Sequence, residues 1–314
     1  MDIIQVITKE LNVEKWQVEA AVKLIDEGCT IPFISRYRKE ATGSLNDEQL
    51  RTLHERLTYL RNLEEKKNQV LGSIEEQGKL TAELKKQILD AQTLVVVEDL
   101  YRPFRPKRRT RAIIAKEKGL EPLANIIMLQ MTDKPIEEEA QDFVSEEKGV
   151  ETVADAINGA KDIIAEHISD EADYRIYLRK LTMDKGSVAS AAKKPEEASV
   201  YEMYYEFEEP IKKLAGHRVL ALNRGEKEKI LTVKVNAPEE EAMGWLQKQV
   251  ITKENPITKP ILREVVEDSY KRLIAPAIER EIRSDLTEKA EDGAIHVFGK
   301  NLEQLLMQLQ SLVK

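Results

Sequence analysis

At 314 residues the chain is larger than one comfortable hydrophobic core, so two or three subdomains are expected. A composition of 41% hydrophobic, 34% charged and 5% aromatic residues favours helix over sheet, beneath an unusually charged surface. One cysteine, Cys29, excludes an internal disulfide framework, and no stretch reaches the ~18 uninterrupted apolar residues of a membrane span, so a cytoplasmic protein is expected.

The opening "MDIIQVITKELNVEKW" lacks the basic n-region and long apolar run of a signal peptide. Net charge is −8 but uneven: residues 1–131 hold 22 Lys+Arg against 20 Asp+Glu, and residues 132–314 hold 27 against 37. The first segment is the better suited to face a polyanion.

In chain order, residues 2–11 and 13–27 read as short amphipathic helices, the second with Trp16, Ala20, Val22, Leu24 and Ile25 near one face and Gly28 as its stop. "IPFISRYRKEATG" predicts a proline-led turn and a short basic helix closed by Gly43. The longest helix is expected over 47–77, with Asn46 and Gln49 as a capping box. Its apolar seam runs through Leu50, Leu53, Leu57 and Leu60, then through Val70, Leu71 and Ile74 beyond a charged interruption at Glu64–Lys67. Thr81 caps a helix to Ala91, and Thr110 caps another over 111–118 that Gly119 ends.

"EPLANIIMLQ" and "PIEEEAQDFVS" each begin a helix with proline in the first turn. Residues 152–184 predict one long helix with a stripe from Val153 to Leu181. From Gly186 the texture changes: "SVASAAKK" is a weak strand, 196–205 a helix, and "KILTVKV" (229–235) a better strand. Helix returns in "EEEAMGWLQKQVI" and "PILREVVEDSYKRLIAPAIEREIRSDLTEKAED", and a final helix covers about 299–313. The expected architecture is mainly α: an elongated multi-helix scaffold at 1–185, a small mixed α/β element at 186–236 and a helical segment at 237–314.

Catalytic and metal signatures are lacking. There is no CxxC, HExxH, GxxxxGK[ST] or GxGxxG pattern, so neither an enzyme nor a cofactor or metal is expected. Cys29 reads as an inert thiol, His54 as a surface residue, and His167, on an apolar stripe, as a hydrogen-bonded core histidine. The basic features carry more chemistry. "DLYRPFRPKRRTR" places Arg102, Arg105, Lys107, Arg108, Arg109 and Arg111 around Tyr101 and Phe104, a mix suited to phosphate contact and base stacking. Arg36, Arg38 and Lys39, with Tyr37, form a second group. The bland alternative is that the arginines pair with carboxylates such as Glu98 and Asp99, and that Tyr101 and Phe104 anchor a core.

"TIPFISRYRKEATGSL" (30–45), "EQGKLTAEL" (76–84), "EDLYRPFRPKRRTRAIIAKEKGLEPLA" (98–124) and "HRVLALNRGEKEKILTVKV" (217–235) together resemble the amino-terminal region of the Tex family of bacterial transcription accessory proteins. The resemblance implies a helical scaffold with a helix-turn-helix-like element. It also implies that an RNase-H-like domain, helix-hairpin-helix motifs and an RNA-binding OB-fold, the family's main nucleic-acid contact, come afterwards. The chain ends at "NLEQLLMQLQSLVK", before the point where that RNase-H-like domain is expected. The expectation is therefore a monomeric, non-catalytic scaffold of a nucleic-acid-binding protein, with RNA or DNA, the transcription machinery and the carboxy-terminal domains as partners and no membrane association. The alternative is a helical protein-interaction or domain-docking module with no nucleic-acid binding of its own.

Overall fold

The structure is a computed structural model that describes the backbone of residues 2–312 and the side chains of residues 2–307. It is mainly α with one small antiparallel sheet, and it divides into two compact units, Met1–Arg105 and Pro106–Lys314. The change of texture expected near 186 lies inside the second unit.

The first unit holds helices α1 (Ile3–Leu11), α2 (Lys15–Asp26), α3 (Ile31–Tyr37), α4 (Asp47–Glu76), α5 (Ala82–Asp90) and α6 (Leu94–Tyr101). The Asn46 side chain accepts from the Gln49 amide at 2.8 Å, and the Gln49 side chain accepts in return from the Asn46 amide, so α4 starts at the expected capping box. Its seam of Leu50, Leu53, Leu57, Leu60, Leu63, Val70 and Ile74 is buried against α1, α2, α3, α5 and α6. The charged stretch does not interrupt that seam. Lys67 falls on its three-and-four spacing and is 1% exposed, its ammonium donating to the Leu89 carbonyl at 2.8 Å and lying 3.2 Å from Glu64. On α2 the buried face is Val18, Ala21 and Val22, which leaves Trp16 exposed rather than in the apolar face expected for it.

The second unit holds α7 (Arg111–Glu117), α8 (Glu121–Leu129), α9 (Ile136–Gln141), α10 (Val153–Asp170), α11 (Ala172–Lys185), α12 (Gly216–Lys227), α13 (Glu239–Val250), α14 (Thr258–Asp268) and α15 (Ala275–Leu312). Helix α10 is the centre of its core, packing against α7, α8, α9 and α14. The helix expected over 152–184 is two helices, because Glu171 takes an extended conformation (φ −67°, ψ 115°). No glycine or proline marks this break. Ala172, Arg175, Leu178 and Leu181 keep the burial phase of α10 across it, so periodicity could not reveal it.

Strands β1 (Ser187–Ala192), β2 (Glu206–Pro210) and β3 (Leu231–Asn236) form a sheet ordered β2-β1-β3, with Ser190 opposite both Phe207 and Val233. The helix expected over 196–205 is instead a turn with a short 3₁₀ segment at Glu202–Tyr204, followed by β2. Tyr201 and Tyr204, three apart, both point inward there, the spacing that 3₁₀ geometry aligns. The "EFEEP" strand has one apolar residue, so only pairing with β1 makes it a strand.

The longest helix is α15, not α4: it runs 38 residues. A π-helical segment, Ser269–Ile274, joins it to α14, and the separate final helix expected near 299 is its continuation, with residue 313 lying outside the described residues. In the π segment the Ser269 hydroxyl donates to the Ala165 carbonyl at 2.7 Å, tying the helix change to α10.

Candidate nucleic-acid interface

The six cations of the basic loop do not share one environment. The boundary between the two units falls between Arg105 and Pro106, so Arg102 and Arg105 belong to the first unit and Lys107, Arg108, Arg109 and Arg111 to the second. In the first, Arg102 is the half-buried C-cap of α6, and the exposed Arg105 lies 3.6 Å from Glu98. Tyr101 bonds the Ser73 hydroxyl at 2.9 Å, and Gln77 donates to the Phe104 carbonyl at 3.0 Å. The Tyr101 side chain is thus fastened to α4 and the Phe104 backbone to its C-cap, and both aromatics are only partly exposed, the arrangement of anchors rather than of stacking platforms.

Within the second unit Lys107 points inward. Its ammonium donates to Glu166 at 2.6 Å and also to Asp170, both near the C-terminal end of α10, where a cation also complements the helix dipole. Burial by itself would raise the Glu166 carboxyl, but hydrogen bonds from Lys107 and Thr110, with the Lys107 charge, hold it below its ordinary range. Nearby Asp162 goes the other way. Burial pushes its carboxyl up and outweighs the opposing charges of Arg272 and Arg111.

Arg109 is exposed and bonds Glu117 at 2.8 Å, an ion pair at the surface that water screens. Arg108 and Arg111 are exposed and make no ion pair or hydrogen bond through their side chains among the described residues. Thr110 accepts from the Ile113 amide at 3.2 Å and starts α7 as expected, which sets where this stretch stops being loop.

The second basic group lies wholly in the first unit. Arg36 closes α3 in its last turn, Arg38 is its C-cap and Lys39 starts the turn beyond it; all three are exposed and without an ion pair among the described residues. Three aromatics lie around them at the surface: Tyr37 is 71% exposed, Trp16 52% and Phe33 40%. Tyr37 is the aromatic expected beside these cations, whereas Trp16, expected on the apolar face of α2, joins it at the surface. The usable signal was spacing, since Trp16 falls outside the 18, 21, 22 set that α2 buries.

His54 is exposed, as expected, but so is His167, expected as a hydrogen-bonded core histidine. It lies next to the buried stripe of α10 rather than on it. Among the described residues no group of three or more His, Cys, Asp or Glu could hold a metal ion, and no helix is long and apolar enough to cross a membrane.

Fold and surface together define a mainly helical protein with a small antiparallel sheet, bearing exposed cations in both of its units. The chain belongs to the Tex-like protein family: the Tex central region-like model matches residues 131–298, just over half of the chain, and the Tex-like protein N-terminal domain model matches residues 1–75. It is similar to "Uncharacterized protein YdcI" of Bacillus subtilis, 50% identical over 307 residues, which cover 97% of this chain and 43% of that one. "Transcriptional accessory protein Tex" of Neisseria gonorrhoeae is 37% identical over 98% of this chain and 41% of its own length. "S1 RNA-binding domain-containing protein 1" of Homo sapiens is 32% identical over 98% of this chain and 32% of its own. The chain therefore spans less than half the length of these relatives.

Proposed function

We propose that the chain is a non-catalytic scaffold of a transcription-associated, nucleic-acid-binding protein and contributes phosphate contacts through its exposed cations. One observation carries this reading. Arg108, Arg36, Arg38 and Lys39 hold their charges at the surface with no carboxylate partner among the described residues, and Arg111, also exposed, makes no ion pair although its charge acts on Asp162. Structural arginines normally find acids, and 57 Asp and Glu were available in this sequence. Arg105 and Arg109, in exposed pairs, can exchange a carboxylate for a phosphate at little cost. Arg102 and Lys107, the two least exposed, position the loop in this reading.

The names of the Neisseria gonorrhoeae and human relatives, one a transcriptional accessory protein and the other carrying an S1 RNA-binding domain, support the same class of role. The proposal includes a cytoplasmic monomer that works with the transcription machinery and with further carboxy-terminal domains, and a helix-turn-helix-like element among the amino-terminal helices. It also includes a three-part division at 185 and 236, supported by β1 starting at Ser187 and β3 ending at Asn236.

Filter binding of RNA and DNA across a salt series tests it. The expected slope of log affinity against log salt is negative, about 0.7 to 0.9 per phosphate contacted. Arg105, Arg108, Arg109 and Arg111 changed together to Ala reduce that slope while the melting temperature stays put. A docking module without nucleic-acid binding is the second reading, favoured by the inward bonds of the Lys107 and Tyr101 side chains. A wild-type slope near zero would establish it instead.

A further inference from the structure

The surface around α3 differs from the basic loop in one respect: its aromatic rings keep much of their area at the surface. Phe33 and Tyr37 are four residues apart on α3, with ring centroids 5.4 Å apart and planes tilted by 45°, and they leave 40% and 71% of their area to solvent. Burying aromatic surface is strongly favourable, so an open pair flanked by cations is expensive to maintain without a ligand. The Arg38 guanidinium lies 5.8 Å from the Phe33 centroid, which orients a positive charge beside the ring.

The turn after α3 packs beside Trp16. Gly43 has φ +63°, and a Cβ there would come within 2.5 Å of Trp16 Cη2 and Gln17 Nε2. Gln17 donates to the Gly43 carbonyl at 2.9 Å and to the Thr42 carbonyl at 3.3 Å. The Thr42 hydroxyl donates back to the Arg38 carbonyl at 3.2 Å, and the Ser44 amide donates to the Lys39 carbonyl at 2.7 Å. The backbone that carries Arg38 and Lys39 is therefore fixed against α2 beside an indole that is half exposed. Among the acids nearby, Glu19 pairs with Lys15 at 3.6 Å, while Glu40 has no ion pair among the described residues. Arg36, Arg38 and Lys39 keep the local balance positive.

We infer that Trp16, Phe33 and Tyr37, with Arg36, Arg38 and Lys39, form a binding site for single-stranded nucleic acid, in which unpaired bases stack on the rings and the cations hold the phosphates between them. The proposal rests on the nucleic-acid reading above and deepens it. Cations alone bind duplex and single strand alike, whereas open rings select strands whose bases can splay out. An acidic protein segment would satisfy the cations but leave three aromatic faces unused.

The sequence contains two tryptophans, so Trp245→Phe in the full chain leaves Trp16 as the sole indole reporter. Trp245 stacks on Tyr177 in the second unit, where Phe preserves the ring. Titration with an oligouridine of about 12 nucleotides, in the size range of single-stranded sites, is expected to quench Trp16 emission. A 12-base-pair RNA duplex should bind more weakly and quench less. Tyr37→Ala is expected to weaken oligouridine binding about tenfold with no change in melting temperature, while Tyr37→Phe stays within about twofold.

If oligouridine binds but Trp16 is silent and Tyr37→Ala binds as the parent does, stacking is overturned and the phosphate reading stands. If no oligonucleotide binds even at low salt, both fail. If oligoglutamate binds more tightly than oligouridine and depends on Tyr37, the site belongs to an acidic protein partner and the inference is overturned.

Discussion

Lys107 Nζ donates to Glu166 Oε1 at 2.6 Å, so the central cation of the basic loop is a clamp onto the end of α10. Both side chains are largely buried, and the same ammonium also serves Asp170. Removing it strands two carboxylates in a poorly hydrated place. Lys107→Met is expected to lower stability by about 2 kcal/mol, read as a drop in urea midpoint. Its salt slope for nucleic acid should match that of wild type. Arg108→Ala should do the reverse, with the slope reduced and the midpoint unchanged.

The same pair sets a pH dependence. Glu166 is held below its ordinary value of 4.5 despite its burial, so its contribution is complete above that pH and lost as pH falls through the lower native value. In Lys107→Met the burial effect is left unopposed by Lys107, and the carboxyl rises. The gap in urea midpoint between wild type and variant should therefore narrow as the pH falls below 4.5. Asp162, raised above its ordinary 3.8 chiefly by burial, disfavours the fold at neutral pH and is relieved by acid. Asp162→Asn should accordingly gain stability relative to wild type at pH 7 and lose that advantage on acidification.

Lys67 tests the polar member of the α4 seam. Lys67→Ala opens a cavity and removes the donor to Leu89, and a loss of about 3 kcal/mol is expected by chemical denaturation. Lys67→Met keeps the volume. It still leaves the Leu89 carbonyl and the Glu64 carboxylate without their cation, so the loss should be smaller than for Ala, about 2 kcal/mol.

Two glycines separate backbone strain from helix propensity. Gly43→Ala meets both a positive φ and the Trp16 ring, and should cost about 2 kcal/mol while displacing the Lys39 turn. Gly72, inside α4 with open space at its Cβ position, should become stabilising as Ala by about 0.5–1 kcal/mol. Thermal melts of the two variants should move in opposite directions.

Most helices were legible because their signals are local. The Asn46 and Gln49 capping box, the Thr81 and Thr110 caps and the Leu50–Leu60 spacing all act within one or two turns. Errors arose where distant partners decide. The break at Glu171 keeps the burial phase, so no periodic signal marks it. Strand β2 exists through pairing with β1, and its own residues alternate nothing but Phe207.

The candidate interface divides in the same way. Sequence alone determined which residues are cationic, that they cluster in two stretches and that the chain carries the motifs of its family, because these are properties of composition and order. Only the tertiary structure decided which charges are spent. Lys107 and Lys67 are both turned inward by carboxylates or carbonyls far along the chain, at Glu166 and Leu89. Tyr101 is fastened to Ser73, whereas Tyr37 and Trp16 are left open. A side chain's charge or ring is written in the sequence, but its partner is fixed only when folding sets desolvation against the contacts at hand.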